Sequence, residues 1–173
     1  MGIGAGILPM AINEGKVYFL FSRERNLGEF KESGLWSDFG GKEEKDESPM
    51  ETAIREGYEE SSGLLGTIKD IIFLVRKKCV KHILIPNYVT YVVIVDYDPD
   101  LPERFKEDFK IINDNFPNFV KKSNGYYEKD ELKWIEKKDL KKNLKIMRPW
   151  YKEIVQRLIN DTNENVEDPI DCI

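Results

Sequence analysis

The chain has 173 residues, 40% of them hydrophobic and 34% charged, with a formal net charge of -5. That length supports one domain with a sizeable core, and the periodic apolar blocks exclude a disordered chain. The acidic balance excludes a generally basic nucleic-acid coat, although a local basic groove stays open. Cys79 and Cys172 lie far apart without metal-site spacing and read as free thiols in a reducing, cytoplasmic compartment. The apolar N-terminus has no basic leader region and is too short to span a bilayer, so it reads as a strand. It also fails the myristoylation pattern, which needs Ser or Thr where Gly6 stands.

In chain order, residues 3–12 and 16–22 are β-prone runs separated by Asn13, Glu14 and Gly15, a hairpin turn. Arg23, Glu24 and Arg25 open a polar loop that ends at Gly34, and residues 35–39 form a short strand leading into Gly40 and Gly41. Ser48 as N-cap, Pro49 in the first helical position and Glu51 as the capping-box carboxylate predict a helix from Pro49. Gly63 in a left-handed conformation ends it near Ser61 or Ser62. Three β-rich runs follow, 67–75, 79–85 and 88–97, the last being the most continuous and expected as a central strand.

Phe105, Phe109, Ile112 and Phe116 recur at helical spacing and predict an amphipathic helix within 102–115 that stops before Pro117. A polar loop over 121–130, a short strand over 131–136 and a final helix from Pro149 complete the expected elements. That helix carries an apolar stripe of Trp150, Tyr151, Ile154, Val155, Leu158 and Ile159. Residues 1–160 read as a single domain with an insertion at about 98–127, and 161–173 as an acidic, disordered tail.

One stretch carries chemistry. Glu56, Glu59 and Glu60 stand at i, i+3 and i+4, so a helix points all three carboxylates the same way. Like charges at this spacing destabilise a helix unless a hard divalent cation reverses the sign of the interaction. A solvated acidic face is the bland alternative.

Gly41, Glu47, Arg55, Glu56, Glu59 and Glu60 fall at the spacing of the Nudix box, GX5EX7REUXEEXGU with U a bulky aliphatic residue. The chain resembles the Nudix hydrolases on these residues and on the order of elements over roughly 3–160. It departs from the pattern at Gly57, where U is expected, and at Ser62, where the closing glycine falls one position late at Gly63.

The resemblance implies an α/β/α sandwich with a mixed sheet and a catalytic loop-helix. It also implies hydrolysis of a nucleoside diphosphate linked to another group, with Mg2+ or Mn2+. Carried over, Glu56, Glu59 and Glu60 hold the metal together with the Gly40 carbonyl, Glu56 is the candidate base, and Glu47 pairs with Arg55. Lys42 becomes a phosphate contact, and Glu128 or Glu131 the additional carboxylate that family members often draw from a later loop.

Other candidates rest on residue type. Arg23, Trp36 and Tyr126 are candidate substrate contacts, with core or loop packing the stronger reading for Trp36. The lone His82 lacks the partners of covalent catalysis. Nucleotide-type small molecules or a capped RNA end are the expected ligands, with mRNA decapping and diphosphoinositol polyphosphate hydrolysis as alternatives. A catalytically silent nucleotide- or RNA-binding module is the rival from another class, and a homodimer stays open.

Overall fold

The computed structural model describes residues 3–26, 31–120 and 125–161. The long hairpin forms first in sequence: β1 (Gly4–Asn13) turns at Glu14 and Gly15, both with positive φ, into β2 (Lys16–Glu24). Their pairing covers only Met10–Asn13 against Lys16–Phe19, after which the two strands part. Into that fork run β3 (Trp36–Ser37), paired with β2, and β4 (Phe39–Gly41), paired with β1. The single run expected over 35–39 is thus two short strands on different partners, with Asp38 between them. Pro9, which has no N–H to donate, falls between the segments of β1 that pair with β4 and with β2.

Beyond α1 (Pro49–Glu60) and α2 (Ile68–Lys77), β5 (Cys79–Ile85) pairs antiparallel with β6 (Tyr88–Ile94). β6 lies parallel to β1 and is almost wholly buried, as its continuous apolar run predicts. After α3 (Leu101–Asn115) and α4 (Pro117–Val120), β7 (Lys129–Glu136) pairs with β2 on the side away from β1. α5 (Leu140–Asn143), flanked by two short 3₁₀ turns, leads to α6 (Lys152–Asn160).

The result is a seven-stranded mixed sheet with helices on both faces. Alternation along the strands divides the core. Ile7 and Leu20 join the cluster under α1, α2 and α3, which includes Ala53, Ile71, Val75 and Phe105. Leu8, Phe19 and Phe21 join the cluster under α6, with Tyr151, Ile154, Val155 and Leu158. No helix among the described residues is long and apolar enough to cross a membrane.

Two expectations are corrected. Residues 67–75 are not a strand: Thr67 accepts from the Asp70 N–H and Asp70 accepts from the Thr67 N–H, a complete capping box that starts α2. Ile71 and Val75, four apart, are its buried face. β-branched composition suggested a strand, while the 3.6-residue period and the cap decide for a helix. Cys79 is disulfide-bonded rather than a free thiol, and Cys172 lies outside the described residues. The expected polar loop over 121–130 falls partly outside the described residues and ends where β7 begins at Lys129, while the acidic tail lies outside from residue 162 onward.

Candidate active site

The site is built where the 36–41 segment meets α1. Ser48 caps the helix, accepting from the Glu51 N–H at 3.3 Å while Glu51 accepts from the Ser48 N–H at 2.8 Å. Gly57 then meets β1 closely: a Cβ there would lie 2.5 Å from Ile7 Cδ1. Ile7 fills the place that the bulky residue of the box pattern would occupy, which accounts for the glycine. At the far end Ser62 (φ 52) and Gly63 (φ 76) are both left-handed, so Ser62 takes up the turn one residue before the glycine.

Glu47 and Arg55 form the brace between loop and helix. Arg55 Nε donates to Glu47 Oε1 at 2.7 Å and Nη2 to Oε2 at 3.0 Å, a bidentate pair. Thr52 Oγ1 and the Glu44 N–H also donate to Glu47. The Arg55 bonds above all, with these two, hold the Glu47 carboxyl down at about 2. The same guanidinium donates to Glu56 at 2.9 Å, to Glu59 at 3.2 Å and to the Lys42 carbonyl at 3.0 Å. One cation therefore fixes the approach loop and both carboxylates.

Those carboxylates are held under repulsion. Burial raises the Glu56 pKa first; Arg55 opposes it, and Glu59 and Glu128 push it further up. Burial likewise raises Glu59, again against Arg55 and with Glu44 and Glu128 adding to it. Glu56 lies against Gly41, where a Cβ would come within 2.4 Å of its Oε1, and Glu59 lies equally close to Gly125. Glu128 accepts from the Gly125 N–H at 3.2 Å, so the loop before β7 carries this carboxylate to the α1 pair. Tyr126 is close enough for Glu59 to raise its phenol pKa, after burial.

The other expected site residues sit elsewhere. Glu60 is buried, 3% exposed, and its oxygens are occupied: Oε2 accepts from the Gly40 N–H at 2.7 Å and Oε1 pairs with Lys129 Nζ at 3.1 Å. Glu131 pairs with Arg23 at 2.8 Å, and Arg23 is further tied to Asp130 at 2.7 Å. Trp36 is 6% exposed and packs in the core with the Arg23 guanidinium 5.9 Å from its ring centroid, so it is not open to stack on a base. Lys42 is exposed at the mouth of the loop.

Sequence reading missed a buried ionic chain behind the site. Lys129, fully buried, also pairs with Glu24, and Glu24 accepts from Arg148 at 2.8 Å. Burial alone would lower the Lys129 pKa, but Glu60 and Glu24 outweigh it and push it up to about 12. Asp38, in the fork of the sheet, accepts from Tyr88 at 2.8 Å and Thr90 at 2.7 Å, and burial still lifts its carboxyl to about 6. No local pattern marks these positions, because their partners are more than 50 residues away or arrive from other strands.

Glu56, Glu59 and Glu128 offer hard oxygen donors, and Arg55, which reaches Glu56 and Glu59, is shared with Glu47. This donor chemistry suits a divalent cation, although among the described residues no three such side chains form a preassembled metal cage.

No family model matches the chain. Sixty-one residues are 44% identical to an uncharacterized protein, L534, of Acanthamoeba polyphaga mimivirus, a match over 35% of this chain and 20% of that protein. The chain thus spans about a fifth of that relative's length. Among solved structures, RenU, a Nudix hydrolase from M. smegmatis, superimposes with a TM-score of 0.55 at 15% identity over 91% of this chain and 83% of that one. A C. elegans Ap4A hydrolase binary complex gives 0.51 at 15% identity, covering 91% and 94%. The NUDIX domain of Shewanella oneidensis NrtR complexed with ADP ribose gives 0.51 at 11% identity, covering 91% and 85%. The fold of this chain is the Nudix fold.

Proposed function

We propose that the protein is a Nudix pyrophosphohydrolase that cleaves the diphosphate of a nucleoside diphosphate linked to another group. The observation that carries this is the Arg55 brace, which ties Glu47, Glu56, Glu59 and the Lys42 carbonyl into one unit beside Gly40 and Gly41. Glu56, Glu59 and Glu128, with the Gly40 carbonyl, would hold Mg2+ or Mn2+. Bound there, the ion supplies charge neutralisation of the diphosphate and a lowered pKa for attacking water.

The chain's own residues do the rest. Arg55 orients both α1 carboxylates, and Glu56 takes the water's proton. Lys42 meets the phosphates at the loop mouth. Glu60 holds Gly40 to the end of α1 through the backbone N–H. Two of the fold's neighbours, an Ap4A hydrolase and a domain complexed with ADP ribose, support a nucleotide-type substrate.

A panel of nucleoside diphosphate derivatives and capped RNA, incubated with Mn2+ and resolved for products, tests the reading. Wild type should release a nucleoside monophosphate or a phosphorylated product, and Glu59→Gln should lose at least about 100-fold in rate while keeping the fold. Absence of any product from wild type would favour the silent binding module instead.

A further inference from the structure

Cys79 opens β5 with its sulfur in a disulfide and its side chain buried in the cluster under α1, α2 and α3. The sequence contains one other cysteine, Cys172. A disulfide in this sequence therefore joins these two residues or joins two copies of the chain.

The start of β5 favours the first. The register against β6 slips between Cys79 and Lys81, and the residues around this bulge serve opposite sides of the sheet: Cys79 lies with Ile71 and Val75, whereas Val80 packs with the cluster under α6. Lys81 forms an ion pair with Asp161, the last described residue, and Lys137 Nζ donates to the Asp161 carbonyl at 2.7 Å. The chain thus leaves α6 already held beside the strand that carries Cys79.

The distances are short. Two strand residues separate Lys81 from Cys79, roughly 7 Å, and a disulfide needs Cα atoms about 4.4–6.8 Å apart. The residues from Asp161 to Cys172 reach up to roughly 35 Å when extended, several times the gap. β5 is also the last strand on its side of the sheet, so no described strand blocks the way from the α6 face to the α2 face. Cys79 is 0% exposed. The chain's own tail arrives there tethered, at a high effective concentration, whereas a second copy's does not.

We propose that Cys79 and Cys172 form a redox-dependent strap: oxidation fastens the C-terminal segment across the start of β5 and closes a covalent ring over more than half of the chain, and reduction releases it. Closing consumes a small-molecule disulfide, RSSR. One cysteine thiolate attacks RSSR and expels a thiolate, and the second attacks the mixed disulfide and expels another. The protein loses two electrons and two protons, and two RSH form. A ring of this length removes more freedom from the unfolded chain than from the folded one. Stability therefore follows the thiol–disulfide poise of the surroundings, whether or not the site hydrolyses a diphosphate.

Trypsin digestion of the whole protein, after oxidation with glutathione disulfide and alkylation of remaining thiols, tests the link by mass spectrometry without reductant. Cleavage after Lys78, Lys81 and Arg157 should yield residues 79–81 joined to residues 158–173, from protein that runs as a monomer on a non-reducing gel. In the same oxidised protein dithiothreitol should lower Tm by roughly 5–15 °C, and Cys172→Ser should show the lowered Tm with or without reductant. Alkylated Cys79 and Cys172 after oxidation, a link confined to a disulfide-bonded dimer, or a wild-type Tm that dithiothreitol leaves within about 2 °C overturns the strap. So does a Cys172→Ser protein that responds to dithiothreitol as wild type does.

Discussion

Replacing Lys129 by Met tests whether the buried ionic chain is a structural element of the site. Lys129 is fully buried and bridges Glu24 and Glu60. Met matches the length of the stem but removes the charge, and the two carboxylates do not suffer equally. Glu24 keeps Arg148 at 2.8 Å, whereas Glu60 keeps only the Gly40 N–H at 2.7 Å. Removing one partner of a buried pair costs about 3–5 kcal/mol, chiefly through the charge left behind. For a chain of this size that corresponds to a fall in Tm of roughly 6–20 °C. Because the orphan is Glu60, adding Glu60→Gln should recover half or more of the loss, since a neutral amide can still accept from Gly40. Thermal and urea unfolding of the wild type, both single variants and the double variant measure the coupling directly. A Lys129→Met loss under about 1 kcal/mol, or a double variant no more stable than Lys129→Met, would refute the reasoning.

Two further perturbations follow from the same buried geometry. Asp38 has its pKa lifted from 3.8 to about 6, first by burial; as a raised acid it favours folding below pH 4 and loses that contribution as pH rises through 6. The difference of about 2 units is about 3 kcal/mol. Asp38→Asn should therefore gain on wild type by up to that amount between pH 4 and 7 in urea titrations, and a pH-independent difference would contradict it. Gly57→Ala should destabilise by about 1–3 kcal/mol despite better helix propensity, because the new Cβ meets Ile7 Cδ1 at 2.5 Å. Ile7→Val, which lacks that atom, should relieve the double variant; additive losses would show the contact is not the cause.

Which parts of the fold were legible follows from how local their determinants are. The hairpin at Glu14–Gly15, the cap at Ser48–Glu51 and the buried run of β6 are set by neighbouring residues, and each stands where its own stretch places it. α2 has a local signal too, the Thr67–Asp70 capping box, but the Ile and Val content of 67–75 is an equally local signal for a strand, so the stretch points both ways. The fork between β1 and β2 was not legible. It depends on residues 36–41 choosing two partners at once, a choice made by tertiary pairing and not by propensity.

The site divides along the same line. Glu47, Arg55, Glu56 and Glu59 lie within thirteen residues, so one helix and its approach loop dictate their meeting. Composition does not distinguish Glu128 from Glu131, whereas strand register sends them to different partners. Glu131 is opposite Arg23 in the β2–β7 ladder and is taken up by it, while Glu128 precedes the ladder and is carried to α1 by the Gly125 turn. The aromatic residues show the same physics in reverse. Trp36 and Trp150 are equivalent as sequence, each near a loop and a basic residue, yet Trp36 belongs to a strand inserted into the fork and is sealed there. Trp150 precedes a helix whose stripe docks on the sheet from the next residue onward, and it lines a cavity beside Gly40 and Gly41. Trp36 inherits the burial of the sheet it joins, whereas Trp150 is only partly buried against the cluster that takes in its neighbour Tyr151. The burial of these two tryptophans is therefore decided by what their elements pack against, and not by their neighbours in sequence.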